Sequence, residues 1–459
     1  MAAVNNPNWQ TGDFQGFPRN LAYSVKSLQN FSKQTVKLTP DNDTNIRQSS
    51  TVRVKLPPNC LVDLRTLTMY FEGTATATGK VHFPRLSSSM IEQLSVYVNG
   101  TMIENIPNYN VLYNTVFDMS CGNDQTSKRY LENIDPSVWY NSSLQTSKNL
   151  LVATPSDTAK PMIINNWLGF LGSSSTPVIS TADSGLIELE IRFAPASVLY
   201  QGGTTGAVTD AAYTISKLRF TISKIVFNDN LYYNLKASKL SSDGLVIGYK
   251  TYIANKGSTV AKGTSLSYSV NINSSSLDQV IATMLTTSFD TVTNILLTGS
   301  AADAGARPFP KTLVNQTDGS AEIFFNQSKY FQRDGSGLTG SSFEINNTMM
   351  NPYPLPLEEV YNETLISLGN LNIDTASGCH PGLTSLTHFS NYYFAHILSL
   401  ENIDNSGQFF KSGLDGRAAA LNINWKTSFT GTANTTPFIF CGVTKLLQIN
   451  DGQQILVLS

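Results

Sequence analysis

His380, His388 and His396 recur every eight residues, and a repeat of imidazoles is the first place to look for a metal site. Eight residues along a strand return a side chain to the same face but ~26 Å away, so three such ligands need the chain folded back twice. They read better as core or surface histidines, and His82, the remaining one, stands apart. "GTATATGK" (73–80) imitates a phosphate loop, with one residue too many between its glycines and Val81 where a magnesium-binding hydroxyl belongs. "DNDTN" (41–45) starts like a calcium loop, but Ile46 takes the place of the turn glycine and Val52 that of the bidentate Glu. Glu358 and Glu359 sit side by side in "PLPLEEV", read as a loop or strand edge. Cys60, Cys121, Cys379 and Cys441 are too far apart for a zinc knuckle or a redox pair and read as buried free thiols. No GxSxG, HExxH or dinucleotide glycine pattern occurs. The expectation is no enzyme, no cofactor and no metal.

The chain that would have to position such groups is built for something else. Charge is balanced and sparse: 31 Lys+Arg against 33 Asp+Glu, 14% in all, with no basic arm to neutralise a phosphate backbone. Direct nucleic-acid binding is therefore not expected. Ser, Thr, Asn and Gln carry the polar face, while 41% hydrophobic and 10% aromatic residues suffice for packed cores. The sequons at Asn99, Asn141 and Asn434 are no more than such a composition yields by chance. The first twenty residues lack the apolar core of a signal peptide, and no apolar run approaches the ~20 residues that span a bilayer. A soluble protein made in a cytosol is expected.

Period-2 alternation dominates. "TVRVKLP" puts Val52, Val54 and Leu56 opposite Arg53 and Lys55, and "LIELEIRF" puts Ile187, Leu189, Ile191 and Phe193 opposite Glu188, Glu190 and Arg192. "KLRFTIS", "SLSYSVNIN", "AALNINWKTSF", "PFIFCGVTKLL" and "QQILVLS" continue the scheme. Helical signals are few. "SSSLDQVIATML" has a capping-box spacing from Ser276 to Gln279 and an apolar stripe of Leu277, Val280, Ile281 and Met284, which predicts a helix. "NYNVLYNTVFDM" predicts another. Residues 1–35 lack strand periodicity and read as an N-terminal arm. "DNLYYNLKASKLSSDG" (229–244) breaks the alternation between two strand-rich halves, 36–235 and 236–459, of about eight strands each. The class is all-β, and a duplicated eight-stranded unit fits the layout, although the halves share no run of identity that carries it.

"MIEQLSVYVNGTMIENIPNYNVLYNTVFDM" (90–119) resembles a segment of double jelly-roll major capsid proteins, found in polinton-like viruses, virophages, adenovirus-type hexons and large DNA viruses. In that family a strand with Y-x-N-G leads through I-E-x-I-P-x-Y to a short helix, here Tyr97, Asn99, Gly100, Ile103, Glu104, Ile106, Pro107 and Tyr109. Residues 243–257 and 419–449 resemble the opening and closing strands of the family's second barrel. The resemblance implies two eight-stranded jelly-roll barrels in tandem with few short helices. It further implies a homotrimeric capsomer that tiles the icosahedral shell of a double-stranded DNA virus beside penton and minor capsid or cement proteins, often above an internal membrane. The protein would then reside in the virion. Many relatives have longer tower loops, so a compact variant is implied.

Leu94, Val96 and Val98 are expected to face a barrel interior, Asn99-Gly100 to form the tight turn, and "ENIPNYNVLYN" to offer amides to neighbouring subunits. Trp9, Phe14 and Phe17 are arm residues suited to contacts between capsomers or beneath the shell. Tyr109, Tyr113 and Phe117 suit either intersubunit packing or packing within their own barrel. The rival reading is a secreted or surface glycan-binding β-sandwich, with Trp139, Tyr140 and Trp167 as sugar-stacking residues.

Overall fold

The computed structural model describes residues 31–41, 46–76, 80–84, 86–120, 160–202, 211–227, 238, 244–286, 312–313, 322–323, 329–368, 386–401, 413–417 and 419–458. Trp9, Phe14, Phe17, Cys121, Trp139, Tyr140, Cys379 and His380 lie outside them, as do all but residues 238 and 244 of the 229–244 segment. The side chains of His82 and His388 also lie outside.

Alternating residues make strands, and the first half has eight principal ones: β1 (Phe31–Leu38), β2 (Thr51–Lys55), β3 (Leu61–Thr76), β4 (Ile91–Val98), β5 (Thr101–Pro107), β6 (Lys160–Ile164), β7 (Ile187–Phe193) and β8 (Ala212–Phe227). Helix α1 (Tyr109–Ser120) lies between β5 and β6. The second half has β9 (Leu245–Lys256), β10 (Leu266–Ile272), β11 (Leu277–Thr286), β12 (Leu338–Ile345), β13 (Thr348–Met349), β14 (His396–Ser399), β15 (Leu421–Phe429) and β16 (Asn434–Asn450). Helices α2 (Leu357–Ser367) and α3 (Leu386–Tyr392) lie between β13 and β14, and β17 (Gln454–Leu458) follows β16.

All principal pairings are antiparallel. In the first half one sheet runs β1-β8-β3-β6 and the other β2-β7-β4-β5; in the second, β9-β16-β11-β14 and β10-β15-β12-β13. The second half thus repeats the first strand for strand, and the order in each is that of a jelly roll. Phe71 of β3 meets Phe193 of β7 edge-on at 6.0 Å across the first barrel, and Phe343 of β12 meets His396 of β14 at 4.5 Å across the second. No pairing among the principal strands crosses from one half to the other.

Once the strands are matched, a repeat emerges that the sequence had hidden. Val98-Asn99-Gly100-Thr101-Met102 turns from β4 to β5, and Ile345-Asn346-Asn347-Thr348-Met349 turns from β12 to β13. Both central pairs have positive φ, as the primed turns of two-residue hairpins require. Each tip presents a half-exposed methionine, Met102 at 51% and Met349 at 48%. Each turn leads to a helix that carries Tyr-Asn at Tyr113-Asn114 or Tyr361-Asn362.

Three local expectations are corrected. Residues 277–286 form strand β11 rather than a helix. The strand is buried on both faces, so no alternation marks it, and a short continuous apolar run reads equally as helix or strand. Ser276 does not cap a helix; its Oγ donates to Asp278 at 2.6 Å and accepts the Gly413 N–H at 2.8 Å. Glu358 and Glu359 occupy the first turn of α2, where the helix dipole favours carboxylates, rather than a loop or strand edge. Residues 31–35, placed with the arm, begin β1 and pair with β8.

Candidate functional site

Three of the residues that carried the resemblance, Asn99, Ile103 and Glu104, lie at the seam between the two barrels. Leu94, Val96 and Val98 are fully buried in the first barrel. Alternation along β5 then aims successive groups at different partners. Ile103 offers its carbonyl to the Tyr249 hydroxyl of β9 at 2.9 Å. Glu104 turns inward and is buried, and both its oxygens accept the Phe170 N–H at 3.0 Å. Thr251 of β9 also hydrogen-bonds the carboxyl, and Lys445 of β16 is the nearby cation. Burial raises this carboxyl from 4.5 to about 7; the Thr251 and Phe170 hydrogen bonds and the charge of Lys445 oppose that rise without cancelling it. Burial likewise holds the Lys445 ammonium below its ordinary range, against the pull of Glu104.

The segment that closes over Glu104 runs from Asn166 to Ser175, and α1 holds it from beneath. Tyr109 Oη accepts the Leu168 N–H at 2.9 Å, Tyr113 Oη accepts the Asn166 side-chain amide at 3.2 Å, and Trp167 Nε1 donates to the Leu67 carbonyl at 2.9 Å. From above, β9 grips the same segment. Lys250 N donates to Ser173 Oγ at 2.8 Å, Gly248 N donates to Ser175 Oγ at 3.0 Å, and Ser175 N donates to the Gly248 carbonyl at 2.7 Å. The Phe170 ring meets Tyr249 edge-on at 5.1 Å. At the far end, Asn99 Nδ2 donates to the Gln453 carbonyl at 3.0 Å, and Gln453 Nε2 donates to the Ala182 carbonyl at 2.9 Å. Backbone and side-chain bonds therefore fix one barrel against the other along a strand's length.

Tyr109, Tyr113 and Phe117 lie along one line of α1, with ring centroids 6.0 and 6.1 Å apart in succession, and all three are buried in their own chain. Packing within their own barrel is the reading the geometry selects. Two amides of "ENIPNYNVLYN" are likewise used internally: Asn114 Nδ2 donates to Ser89 Oγ at 2.8 Å and Asn110 Nδ2 donates to the Ser89 carbonyl at 3.4 Å. Both are buried, while Asn105 of the same stretch is exposed. Tyr109→Ser is therefore expected to lower the unfolding free energy by about 3–5 kcal/mol through cavity formation, whereas Tyr113→Phe loses one hydrogen bond and about 1 kcal/mol. Urea titrations check both. An unchanged midpoint for Tyr109→Ser together with loss of self-association would return the residue to an intersubunit role.

Trp167, a candidate for sugar stacking, is buried with its N–H engaged. Cys60 and Cys441 are buried free thiols, and burial pushes Cys441 up to about 12. Among the described residues, Ser341, His396 and Glu363 are ordered like a hydrolase triad. Ser341 Oγ is 2.7 Å from His396 Nδ1, and His396 Nε2 is 2.8 Å from Glu363 Oε2. Trp425 Nε1 donates to Ser341 Oγ at 2.9 Å, and Asn351 Nδ2 donates to both Glu363 oxygens. Ser341 and His396 have no exposed surface, so no carbonyl can reach the hydroxyl. The network instead ties β12, β14, β15 and α2 together. No group of His, Cys, Asp and Glu fit to hold a metal is present among the described residues, and no helix there is long and apolar enough to cross a membrane.

No protein-family model and no curated protein matches the chain. Solved structures do. The chain resembles a quasi-atomic model of the PBCV-1 virus capsid at a TM-score of 0.60 and 12% identity, over 93% of this chain and 96% of that one. It resembles the Faustovirus major capsid protein at 0.55 and 10%, over 92% and 91%. It resembles the Sputnik virophage structure at 0.53 and 10%, over 100% and 92%. At such identities the likeness is one of fold, and it takes in both barrels: the chain has the double jelly-roll fold.

Proposed function

We propose that this chain is a major capsid protein of an icosahedral double-stranded DNA virus and that three copies form a six-sided capsomer. The observation that carries the reading is the pair of jelly rolls, locked side by side by the Glu104 seam, in a likeness that covers more than nine-tenths of the chain and of each capsid structure compared. Two similar barrels per chain make a trimer six-sided, which suits hexagonal tiling. The first barrel takes in β1 from residue 31 to β8, and the second runs from β9 to β17. Neighbouring capsomers, penton and minor capsid or cement proteins are its partners, an internal membrane lies beneath in this reading, and the balanced charge leaves the genome to other components. Synthesis takes place in the host cytosol and the virion is the destination. The arm residues Trp9, Phe14 and Phe17 belong to contacts beneath or between capsomers.

Light scattering on a sizing column tests this. The expected mass is three times the 50.1 kDa of one chain, with hexagonal outlines in negative stain of the same peak. A clean single-chain mass would sink the capsomer reading, and glycan-array binding by that species would favour the sugar-binding alternative.

A further inference from the structure

Asn99-Gly100 does more at the seam than turn the chain from β4 to β5. Asn99 N donates to the Leu186 carbonyl at 2.8 Å, and the side-chain amide donates to the Gln453 carbonyl at 3.0 Å. Gln453 closes the short turn Asp451–Gln453 between β16 and β17, so this amide ties the first barrel to the last hairpin of the second. Gln453 in turn reaches the Ala182 carbonyl with its own amide. The Asn99 side chain also lies against Gly185, where a Cβ would collide with it.

The same two residues are the only Asn-Gly pair in the chain, and that pair is open to attack by its own backbone. A glycine puts no side chain in the way when its nitrogen approaches the preceding asparagine Cγ. Both residues are exposed, open space surrounds the Gly100 α-carbon, and among the described residues the Gly100 N–H makes no hydrogen bond. Attack forms the N–Cγ bond of a succinimide, and the side-chain nitrogen leaves as ammonia with the proton that Gly100 gives up. Water then opens the ring at either carbonyl, to aspartate or to isoaspartate. One water enters and one ammonia departs, with no change of oxidation state.

We propose that Asn99 is a site of spontaneous deamidation and that its product unfastens this end of the seam. The nitrogen that leaves is the one that donates to Gln453, so the contact is lost with it. The carboxylate left behind has no proton to give and meets the Gln453 carbonyl as acceptor against acceptor. Its charge arrives between two segments that already carry Asp183 and Asp451. Isoaspartate also adds one atom to the backbone of a two-residue turn, and loop length fixes hairpin register. The change runs one way, so it accumulates with the age of the molecule. The matching turn of the second barrel is Asn346-Asn347, without the glycine, and Asn346 Oδ1 accepts the Asn422 N–H at 2.8 Å within its own barrel.

Peptide mapping of the purified chain aged in mildly alkaline buffer tests the proposal, with a synthetic peptide of residues 94–105 aged beside it as the clock. When the peptide is fully converted, the folded chain is expected to carry the added dalton and isoaspartate at Asn99 and not at Asn346. Amide exchange across residues 451–458 is expected to quicken about fivefold in the aged chain, the factor that one lost hydrogen bond of ordinary strength gives. Asn99→Asp should show that exchange without ageing. Gly100→Asn, which copies the turn of the second barrel, should keep the slow rate after it. An Asn99 still intact when the peptide is spent overturns the proposal, and so does a converted chain that exchanges at the rate of the fresh one.

Discussion

Glutamine in place of Glu104 is expected to abolish a loss of stability of roughly 3 kcal/mol between pH 4.5 and 8. The sign follows from where the proton is held. Burial raises the folded carboxyl to about 7 from an ordinary 4.5. Below pH 4.5 both folded and unfolded chains keep the proton, and the stabilising term is fully present. From 4.5 to 7 the unfolded chain releases it first, so stability falls as pH rises, by up to about 1.4 kcal/mol per unit. Above 7 both states are ionised and the curve is flat. The amide of the Glu104→Gln variant has no proton to lose and keeps a carbonyl for the Phe170 N–H. The difference in unfolding free energy between Glu104→Gln and wild type should therefore shift in favour of the variant by roughly 3 kcal/mol across that range. Urea titrations at half-unit steps measure it, and a difference constant within about 0.5 kcal/mol would sink the idea. Lys445 shares the pocket, so the same scans in a Lys445→Met background separate the two groups.

Alanine at Gly169 is expected to be worse tolerated than any conservative change elsewhere in the seam. Gly169 sits at φ 77°, ψ −152°, a region almost closed to residues with a Cβ. An added methyl would also collide with the Glu104 carboxyl. The carboxyl cannot withdraw without abandoning the Phe170 N–H, which is itself buried. Strain of about 1–3 kcal/mol and overpacking of a similar size add, for a loss of at least about 3 kcal/mol. Gly100 supplies the control. It has the same φ of 77° at the β4–β5 turn, but nothing lies within 4 Å of an added Cβ, so Gly100→Ala should cost only the backbone strain. Thermal melts of the two variants separate the effects, and equal losses would mean that the Glu104 collision is relieved at little cost.

Both outcomes turn on residues whose importance local sequence conveys very unevenly. Glu104 and Tyr109 fall in the motif that carried the resemblance, yet nothing local says that one takes a buried proton and the other a backbone N–H. Phe170, Ser173 and Tyr249 leave no mark in their own segments, because their partners lie 66 to 146 residues away. Met349 and its counterpart Met102 became a visible repeat only after β12 and β4 had been matched.

Neighbouring residues alone are enough for the all-β class, the strands with one wet face, the Asn99-Gly100 turn, helix α1 and the division into two strand-rich halves. Those features depend on period-2 alternation, φ preference and helical stripes, all of which act over a few residues. The remainder depends on how distant segments meet. Pairing with β16 made 277–286 a strand, since burial on both faces erases the alternation that would distinguish strand from helix. Packing of α1 against the 166–168 segment of its own barrel turned its aromatic face inward, and packing between the barrels set the carboxyl of Glu104 in a dry seam. It also covered β9 while its counterpart β1 stayed exposed. Which surface is covered depends on what the other barrel brings to it, and no window of neighbouring residues contains that information.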